Sequence, residues 1–455
     1  MITHKSYKFR LKPTELQEQL LLQHTGNTRF LHNKLVEFSK DEQSENNKFP
    51  TDGRLKKEII SIKNQNDFLK LTYSQPLQMV ATRIFRTNQK SIKKETIAKR
   101  KQKIAIAQTK PVKSEEFRQK AIKKAKMYGF PNFKKKSDMN GNLFFPQHFK
   151  IKRSRIEFPK LGWIDYIRHR KIEGTPKNLA ITQDGDLWFV SICCEIEIKE
   201  KVKPYIDNAN IVGIDLGIKD FATLSDGSVI KNPRIYDKCK KKLAKEQKKL
   251  SRKQYVEKEV HGKKMKVSSN NREKQRLKVR KVNRKIKNTR KDFLHKTTHD
   301  MITKYDGFIL ESLSIQEMLQ KNGTSQNRNT CDVSWFQFVL MLEYKSKWNS
   351  KYFHKVGKYF PSTKTCSKCG NIQEMPVEIR TYHCQACGMT MDRDLNSAYN
   401  LVKEGIPCLK QILKDLEDLN EINTTSATGE SYACGQSSLE NWAKQEKRDL
   451  VQALA

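Results

Sequence analysis

The chain of 455 residues carries 90 Lys+Arg against 50 Asp+Glu, a formal charge of +40 and a pI near 9.8, with 36% hydrophobic residues. That apolar share argues against full disorder, and the length allows about two to four domains. No run of eighteen or more apolar residues is present to cross a membrane. The opening Met1-Ile2-Thr3-His4-Lys5-Ser6 lacks an apolar signal segment, so the expected location is the cytoplasm. Ten cysteines are too few for a disulfide framework, and four of them sit in two Cys-x-x-Cys pairs, which reads as metal in a reducing compartment.

The charge is concentrated. Arg234 to Lys291 hold 25 Lys/Arg and 5 Asp/Glu, a net +20, and Arg83 to Lys136 hold 19 and 3, a net +16. A solvated face that serves only solubility interleaves acids, whereas segments of this density match a polyanion such as nucleic acid, whose duplex carries one charge per ~1.7 Å of axis.

In chain order, Thr3 to Leu11 alternate as a strand, and Thr14 with Gln17 forms a capping-box start for a helix. Helices are expected to about Lys126. There Leu16, Leu20, Phe30, Leu31, Leu35, Ile92, Ile97, Phe117 and Ile122 take core spacing, with the basic residues outward. From Gly129-Phe130-Pro131 onward short β-like runs follow: 143–145, 151–152, 155–160, 179–182 and 187–192, with Asp184-Gly185-Asp186 as a hairpin turn. A small antiparallel barrel that includes the first strand is the natural closure. After Pro204, Ile211 to Asp215, Phe221 to Leu224 and Val229-Ile230 predict a three-strand meander. The basic stretch then predicts two long helices linked around His261-Gly262. Phe308 to Glu311 is the next strand, Trp335 to Tyr344 a helix and Lys355 to Phe360 a strand. From Ile406 to Ala455 there are 5 basic and 8 acidic residues, which predicts a mobile tail outside the nucleic-acid field.

Two constellations carry chemistry. Cys366 and Cys369 with Cys384 and Cys387 match a tetrahedral structural zinc site, because each pair forms a tight knuckle; four reduced core cysteines are the plainer alternative. The remaining cysteines, Cys193, Cys194, Cys239, Cys331, Cys408 and Cys434, have no ligand spacing. Asp215 and Glu311 each end an apolar strand, and Asp394 opens a helix. Singly, such acids are turn residues or caps; together, in so basic a chain, they suggest a two-metal phosphodiester site.

The succession Gly213-Ile214-Asp215-Leu216-Gly217-Ile218-Lys219-Asp220-Phe221-Ala222, Asp292-Phe293-Leu294-His295-Lys296, Glu311, Tyr359-Phe360-Pro361-Ser362 with the four cysteines, then Asp392-Arg393-Asp394-Leu395-Asn396-Ser397-Ala398 resembles the TnpB family. These are transposon-encoded, RNA-guided nucleases related to compact type V CRISPR effectors. Tyr7 to Thr14 and Phe158 to Trp163 resemble the same family, so the likeness runs from about residue 4 to about residue 404.

The resemblance implies a multidomain α+β architecture. A wedge β-barrel (1–12 and 127–203) interrupted by a helical recognition bundle (13–126) precedes an RNase H-like (RuvC) α/β nuclease core (204–360) with its basic helical insertion (about 234–292). A zinc-ribbon target-binding insertion (361–391), a last RuvC segment (392–405) and the acidic tail (406–455) complete it. It assigns Asp215, Glu311 and Asp394 to catalysis with two magnesium ions, Asp394 preferred over Asp392 because the acid is followed by x-Asn. Arg393 and Asn396 contact the scissile strand or orient ligands in this reading, or are ordinary helix-start residues. Gln78, in Ser74-Gln75-Pro76-Leu77-Gln78, is a base-contact candidate for a target-adjacent motif, or a solvent-facing glutamine. The implied cofactors and partners are zinc, magnesium, a noncoding guide RNA and double-stranded target DNA, in a prokaryotic cytoplasm at the nucleoid. The rival expectation is a nucleic-acid-binding transposition regulator or repressor without significant cleavage; three intact acids argue against it.

Overall fold

In the computed structural model of the protein, the described residues are 2–46, 48–109, 115–135, 142–197, 205–260, 263–313, 318, 324–376 and 378–425. The chain divides into two compact units, Met1–Ile198 and Lys199–Ala455. The boundary expected at 203 lies outside the described residues, as do His261-Gly262, Cys434 and the tail beyond 425.

The first unit opens with β1 (Ile2–Lys12) and then five helices: α1 (Glu15–Asn46), α2 (Asp52–Gln65), α3 (Ser74–Ser91), α4 (Lys94–Thr109) and α5 (Glu115–Lys126). The capping box forms. The Gln17 N–H donates to Thr14 Oγ1 at 3.3 Å, and the Thr14 N–H donates to Gln17 Oε1 at 3.1 Å. Leu31, Leu35 and Val36 of α1 pack with Leu55, Ile59 and Ile62 of α2 and Leu77, Val80, Ala81 and Ile84 of α3. The next two helices depart from expectation. No described residue of α4 or α5 is buried, and Ile92, Ile97 and Phe117, expected in the core, are exposed. Their apolar residues are too sparse among the lysines to form a continuous stripe, so the pair packs chiefly on itself.

Six further strands follow: β2 (Asn142–Phe145), β3 (Lys150–Ile151), β4 (Arg155–Phe158), β5 (Gly162–Ile167), β6 (Thr175–Asp184) and β7 (Leu187–Glu197). With β1 they form a seven-stranded sheet of order β2-β6-β7-β1-β5-β4-β3. The expected closed barrel is a curled open sheet, because its edges β2 and β3 are not hydrogen-bonded to each other. The curl is closed by side chains: Phe145 of β2 meets Phe158 of β4, ring centroids 5.3 Å apart, over a core that includes Phe9, Ile164, Trp188 and Val190.

In the second unit, β8 (Ile211–Leu216), β9 (Asp220–Leu224) and β10 (Val229–Lys231) make the meander. α6 (Ile235–Ser251) and α7 (Asn270–Lys304) are joined by a hairpin, β11 (Tyr255–Val260) with β12 (Lys263–Ser268), rather than by a simple link. β13 (Gly307–Glu311), α8 (Thr324–Val333), α9 (Trp335–Trp348) and β14 (Tyr352–Val356) follow. The last of these lies upstream of the expected strand at 355–360, because its register is set by parallel pairing of Tyr352 with Gly307, and Tyr359 is left 89% exposed. β15 (Thr381–His383) and β16 (Thr390–Asp392) pair in the cysteine region, and α10 (Arg393–Thr425) ends the described chain.

The five-stranded sheet has order β10-β9-β8-β13-β14, with β8, β13 and β14 parallel. Helices cover both faces, which is why β8 and β13 read as nearly unbroken apolar runs. Leu294, Met301, Ile302, Phe338 and Leu342 of α7 and α9 pack with sheet residues Val212, Ile214, Phe308 and Leu310. Leu401 and Leu409 of α10 pack with Ile309, Tyr352 and Val356. The tail expected from 406 thus begins inside a helix. Ile406, Leu409 and Leu413 continue the stripe begun by Leu401, and this burial carries the helix past Pro407.

α10 approaches the sheet closely. A Cβ on Gly213 would stand 2.1 Å from the Ala398 carbonyl oxygen, and one on Gly405 would stand 2.5 Å from Ile309 Cγ2. Gly213→Ala is therefore expected to destabilise the second unit by the upper end of the ~1–3 kcal/mol typical of overpacking. Gly26→Ala, in the interior of α1 with nothing within 4 Å of the added carbon, is expected to stabilise by up to ~1 kcal/mol. Urea unfolding of both variants checks the contrast.

Candidate active site and metal centre

Strand alternation aims the acids. Gly213 faces α10, so Asp215, two residues on, faces α10 as well; Ile309 meets Gly405 of α10, so Glu311 shares that face. The parallel register pairs Leu310 with Ile214, which sets Glu311 level with Asp215 at the C-terminal ends of adjacent strands. The N-terminal turn of α10 brings Asp394 to the same place. Its helix-end dipole favours negative charge there.

The Ser397 hydroxyl donates to Asp215 Oδ1 at 3.2 Å and lies 3.0 Å from Ser362 Oγ. Burial, and then the charges of Asp394 and Glu311, push the Asp215 carboxyl up to about 7. Glu311 is also raised, by burial. The two candidate acids of the Asp-Arg-Asp segment separate by use. Asp392 Oδ1 caps the helix, accepting from the N–H groups of Asp394 at 2.9 Å and Leu395 at 3.1 Å, whereas Asp394 is the acid whose charge reaches Asp215.

Arg393 and Asn396 are committed within the chain. Arg393 is 8% exposed, and its guanidinium donates to Ile379 O at 3.0 Å and Pro376 O at 3.4 Å and meets Asp394 Oδ1 at 3.3 Å. Asn396 is fully buried. Its amide donates to Thr365 O at 2.7 Å, and its Oδ1 accepts from the Ser367 N–H at 2.9 Å. The geometry assigns both to holding the cysteine region against α10, the helix-start alternative extended to a tertiary tie. Gln78 is exposed on α3, in the first unit.

Sequence reasoning left Ser397 and Asn400 without roles. Asn400 donates to Ser362 O at 2.8 Å and Thr365 O at 2.6 Å. The signal was available: 393, 396, 397 and 400 share one helix face at i, i+3, i+4 and i+7. Ser362, Thr365 and Arg380, whose Nη1 lies 3.5 Å from Asp394 Oδ2, come from outside the helix and carried no such mark.

The four cysteines converge. All four Sγ atoms lie within 4.8 Å of one another, with Cys366–Cys387 at 3.7 Å and Cys369–Cys384 at 3.6 Å. A disulfide needs ~2.05 Å; a tetrahedral ion with ~2.3 Å bonds sets sulfur atoms ~3.8 Å apart. The set therefore fits zinc, with no position left for a substrate. Each pair is a knuckle. The Gly370 N–H returns to Cys366 O at 2.9 Å and the Gly388 N–H to Cys384 O at 3.0 Å, both glycines at positive φ. Hydrogen bonds from the backbone N–H groups of Cys387 and Ala386 hold the Cys384 thiol down at about 6, favouring the thiolate a metal needs.

The α6–α7 insertion is the strongest cationic surface of this unit. Ile235, Leu243, Val279, Val282 and Ile286 bury the seam between the helices, and Lys240, Lys241, Lys245, Lys248, Lys274, Lys278, Lys281 and Lys285 stand exposed around it.

Three family models match successive parts of the chain: a helix-turn-helix domain of IS605 OrfB proteins over residues 1–48, the IS605 OrfB family, described as "Probable transposase", over 191–322, and the TNB domain of Cas12f1-like proteins over 335–401. In the first of these stretches the structure has a strand and one long helix. Among curated proteins, the chain is 28% identical over 419 residues to "Putative RNA-guided DNA endonuclease InsQ" of Escherichia coli (strain K12), covering 88% of this chain and 92% of that protein. It is 34% identical over 233 residues to "Putative RNA-guided DNA endonuclease" of Streptomyces pristinaespiralis, covering 51% and 53%. Among solved structures, the mini-RNA-guided endonuclease CRISPR-Cas_phi3 aligns over 89% of this chain and 92% of its own, at 10% identity and a TM-score of 0.42.

Two measurements test the site. An Asp pKa near 7 in the folded chain exceeds the ~3.9 of an unfolded one. The stability it contributes is complete below about pH 4 and is lost as pH rises through about 7. Without magnesium and with zinc retained, the melting temperature is expected to fall from pH 5 to pH 8 more steeply in the wild type than in Asp215→Asn. Separately, Asn396→Ala leaves the Ser367 N–H and Thr365 O unpaired, an expected loss of ~1–3 kcal/mol in urea unfolding.

Proposed function

We propose that the chain is a member of the IS605 OrfB family, the TnpB proteins, whose model matches it over 191–322 and whose curated relatives align with it, and that it is an RNA-guided DNA endonuclease whose cleavage site is Asp215, Glu311 and Asp394 with magnesium. The observation that carries the reading is the convergence of these three acids, from two adjacent strand ends and one helix start, on one face of the second unit's sheet. Carboxylates crowded until their own charges oppose ionisation are suited to a divalent cation, and all-oxygen donors are the set that magnesium takes. When bound, two such ions supply a water activated at neutral pH and offset charge on the leaving oxygen of a phosphodiester.

The sheet order β10-β9-β8-β13-β14, with an antiparallel meander joined to two parallel strands, supports the RNase H-like (RuvC) reading of the second unit. In that reading Asp215 and Glu311 hold the cations from the strand ends and Asp394 closes the set from α10. Ser397 fixes the Asp215 carboxylate in place by its hydrogen bond, and Arg393 orients Asp394. The four cysteines hold zinc as a structural ion, and Asn396 and Asn400 fasten that ribbon to α10. The relatives named as RNA-guided supply the class of partner: a noncoding guide RNA whose pairing selects the DNA. The basic α6–α7 insertion and the +16 segment hold the RNA and heteroduplex backbones, and Gln78 reads a base of the target-adjacent motif.

The decisive experiment purifies the protein from cells carrying its flanking genomic region, sequences the co-purified RNA and supplies a matched plasmid with magnesium. Asp215→Ala, Glu311→Ala and Asp394→Ala are each expected to cut about a thousandfold more slowly or worse, while still retaining the RNA. A bound RNA with no cutting by the wild type would instead support a binding regulator.

A further inference from the structure

Within the first unit a cavity of about 60 Å³ opens where α1, α3, the 132–135 stretch and the start of β2 meet. That is several times the ~10–15 Å³ that a single water needs. Among the described residues its polar lining is Thr28, His32, Arg83, Thr87, Lys134 and Asn142, with no carboxylate.

The lining is built rather than incidental. Asn33 of α1 grips the backbone of Lys134 at both ends: the Lys134 N–H donates to Asn33 Oδ1 at 2.8 Å, and Asn33 Nδ2 donates to Lys134 O at 3.0 Å. Neighbouring His32 holds Asn132 O through Nε2 at 3.0 Å. Thr28 and Thr87 donate their hydroxyls to Thr25 O and Arg83 O, so the donors left for a ligand are the Arg83 guanidinium, the Lys134 ammonium and the Asn142 amide.

The two cations share the cavity with each other and with no described acid. On α1 and α2, Lys34 pairs with Glu37, Arg54 with Glu42 and Lys56 with Asp52, and, just beyond, Lys70 pairs with Asp67. No ion pair among the described residues involves Arg83 or Lys134; the guanidinium lies only over the Phe144 ring, 5.7 Å from its centroid. Both groups are held low, first by burial and then by a neighbouring cation, Arg86 for Arg83 and Arg83 for Lys134. His32 is pushed down to about 4, by burial foremost, and so adds no third charge near neutrality. Arg83 is half-buried and Lys134 exposed at the cavity mouth, and two like charges brought together there repel until an anion enters.

We propose that this cavity binds one phosphate of a nucleic-acid backbone, clasped between Arg83 and Lys134. The phosphate's source rests on the nucleic-acid reading above; the cavity's preference for an oxyanion does not. A tetrahedral phosphate suits a planar guanidinium on one side and a point ammonium on the other. Such a contact fixes register on the backbone without reading sequence. It would tie the bound strand to the junction of α1, α3 and the curled sheet.

The test uses the full chain, freed of nucleic acid, with a DNA duplex and with single-stranded RNA as separate probes. Affinity is measured against salt for the wild type, Arg83→Gln, Lys134→Gln and the control Lys56→Gln, whose charge Asp52 already offsets. Each cavity variant is expected to flatten the slope of log affinity on log salt by ~0.9 on the duplex or ~0.7 on the single strand, and the probe that shows it identifies the strand bound. The control leaves the slope unchanged. Without nucleic acid, the cavity variants are expected to melt no lower than the wild type, and inorganic phosphate to raise the wild type's melting temperature more than theirs. Wild-type slopes in both variants would overturn the proposal, as would lower melting of both variants with an unaltered phosphate response. A wild type that binds neither probe would remove the nucleic-acid reading instead, leaving the phosphate response to decide the cavity.

Discussion

The close seating of α10 on the sheet, with Gly213 under Ala398 and Gly405 against Ile309, is the constraint on which the candidate site depends. A helix held at ordinary distance by a side chain at position 213 would carry Ser397 out of reach of Asp215 and Asp394 away from the strand ends. The same contact explains why an apolar strand can end in an acid. Asp215 and Glu311 emerge on the α10 side where the sheet meets a helix N-terminus, a place where the field favours negative charge and water is scarce. Burial and crowding of the acids there oppose their ionisation.

The cysteine region is fastened to this seat rather than tethered beside it. Asn396 and Asn400 bond to the backbone at Ser362, Thr365 and Ser367, next to the first knuckle, and Ser362 shares the hydroxyl that touches Asp215. From the other side, Arg393 clasps Pro376 O and Ile379 O while contacting Asp394. The four-cysteine region in this setting acts as a buttress for the face that carries the acids.

The positive charge is organised differently in the two units. In the second unit a seam of five buried aliphatic residues holds α6 against α7 and leaves most of the described lysines of these helices exposed. In the first, α4 and α5 carry cations with no described residue buried, whereas Arg83 and Lys134 turn theirs into a cavity. Outward charge is screened by salt and steers; the half-buried Arg83 is screened less.

Sequence alone determined a good deal. Strand runs, the Thr14–Gln17 cap, the meander and the cysteine knuckles were legible because each is a local pattern: alternation, a cap three residues from its partner, ligands two residues apart. Asp215 and Glu311 also stood out, since a carboxylate closing an apolar run is locally anomalous, whereas Asp394, opening a helix, was singled out over Asp392 only by the resemblance. Tertiary structure decided the rest. It left the sheet curled but open, because closure depends on which edges meet; it moved β14 upstream, because a parallel partner sets register; and it carried α10 past Pro407, because its apolar stripe had a surface to cover. It also turned Arg393 and Asn396 inward, gave Ser397 a role and assembled an anion cavity from four separate segments. Contacts between residues far apart in the chain leave no periodicity to read, and these depended on packing that only the folded protein supplies.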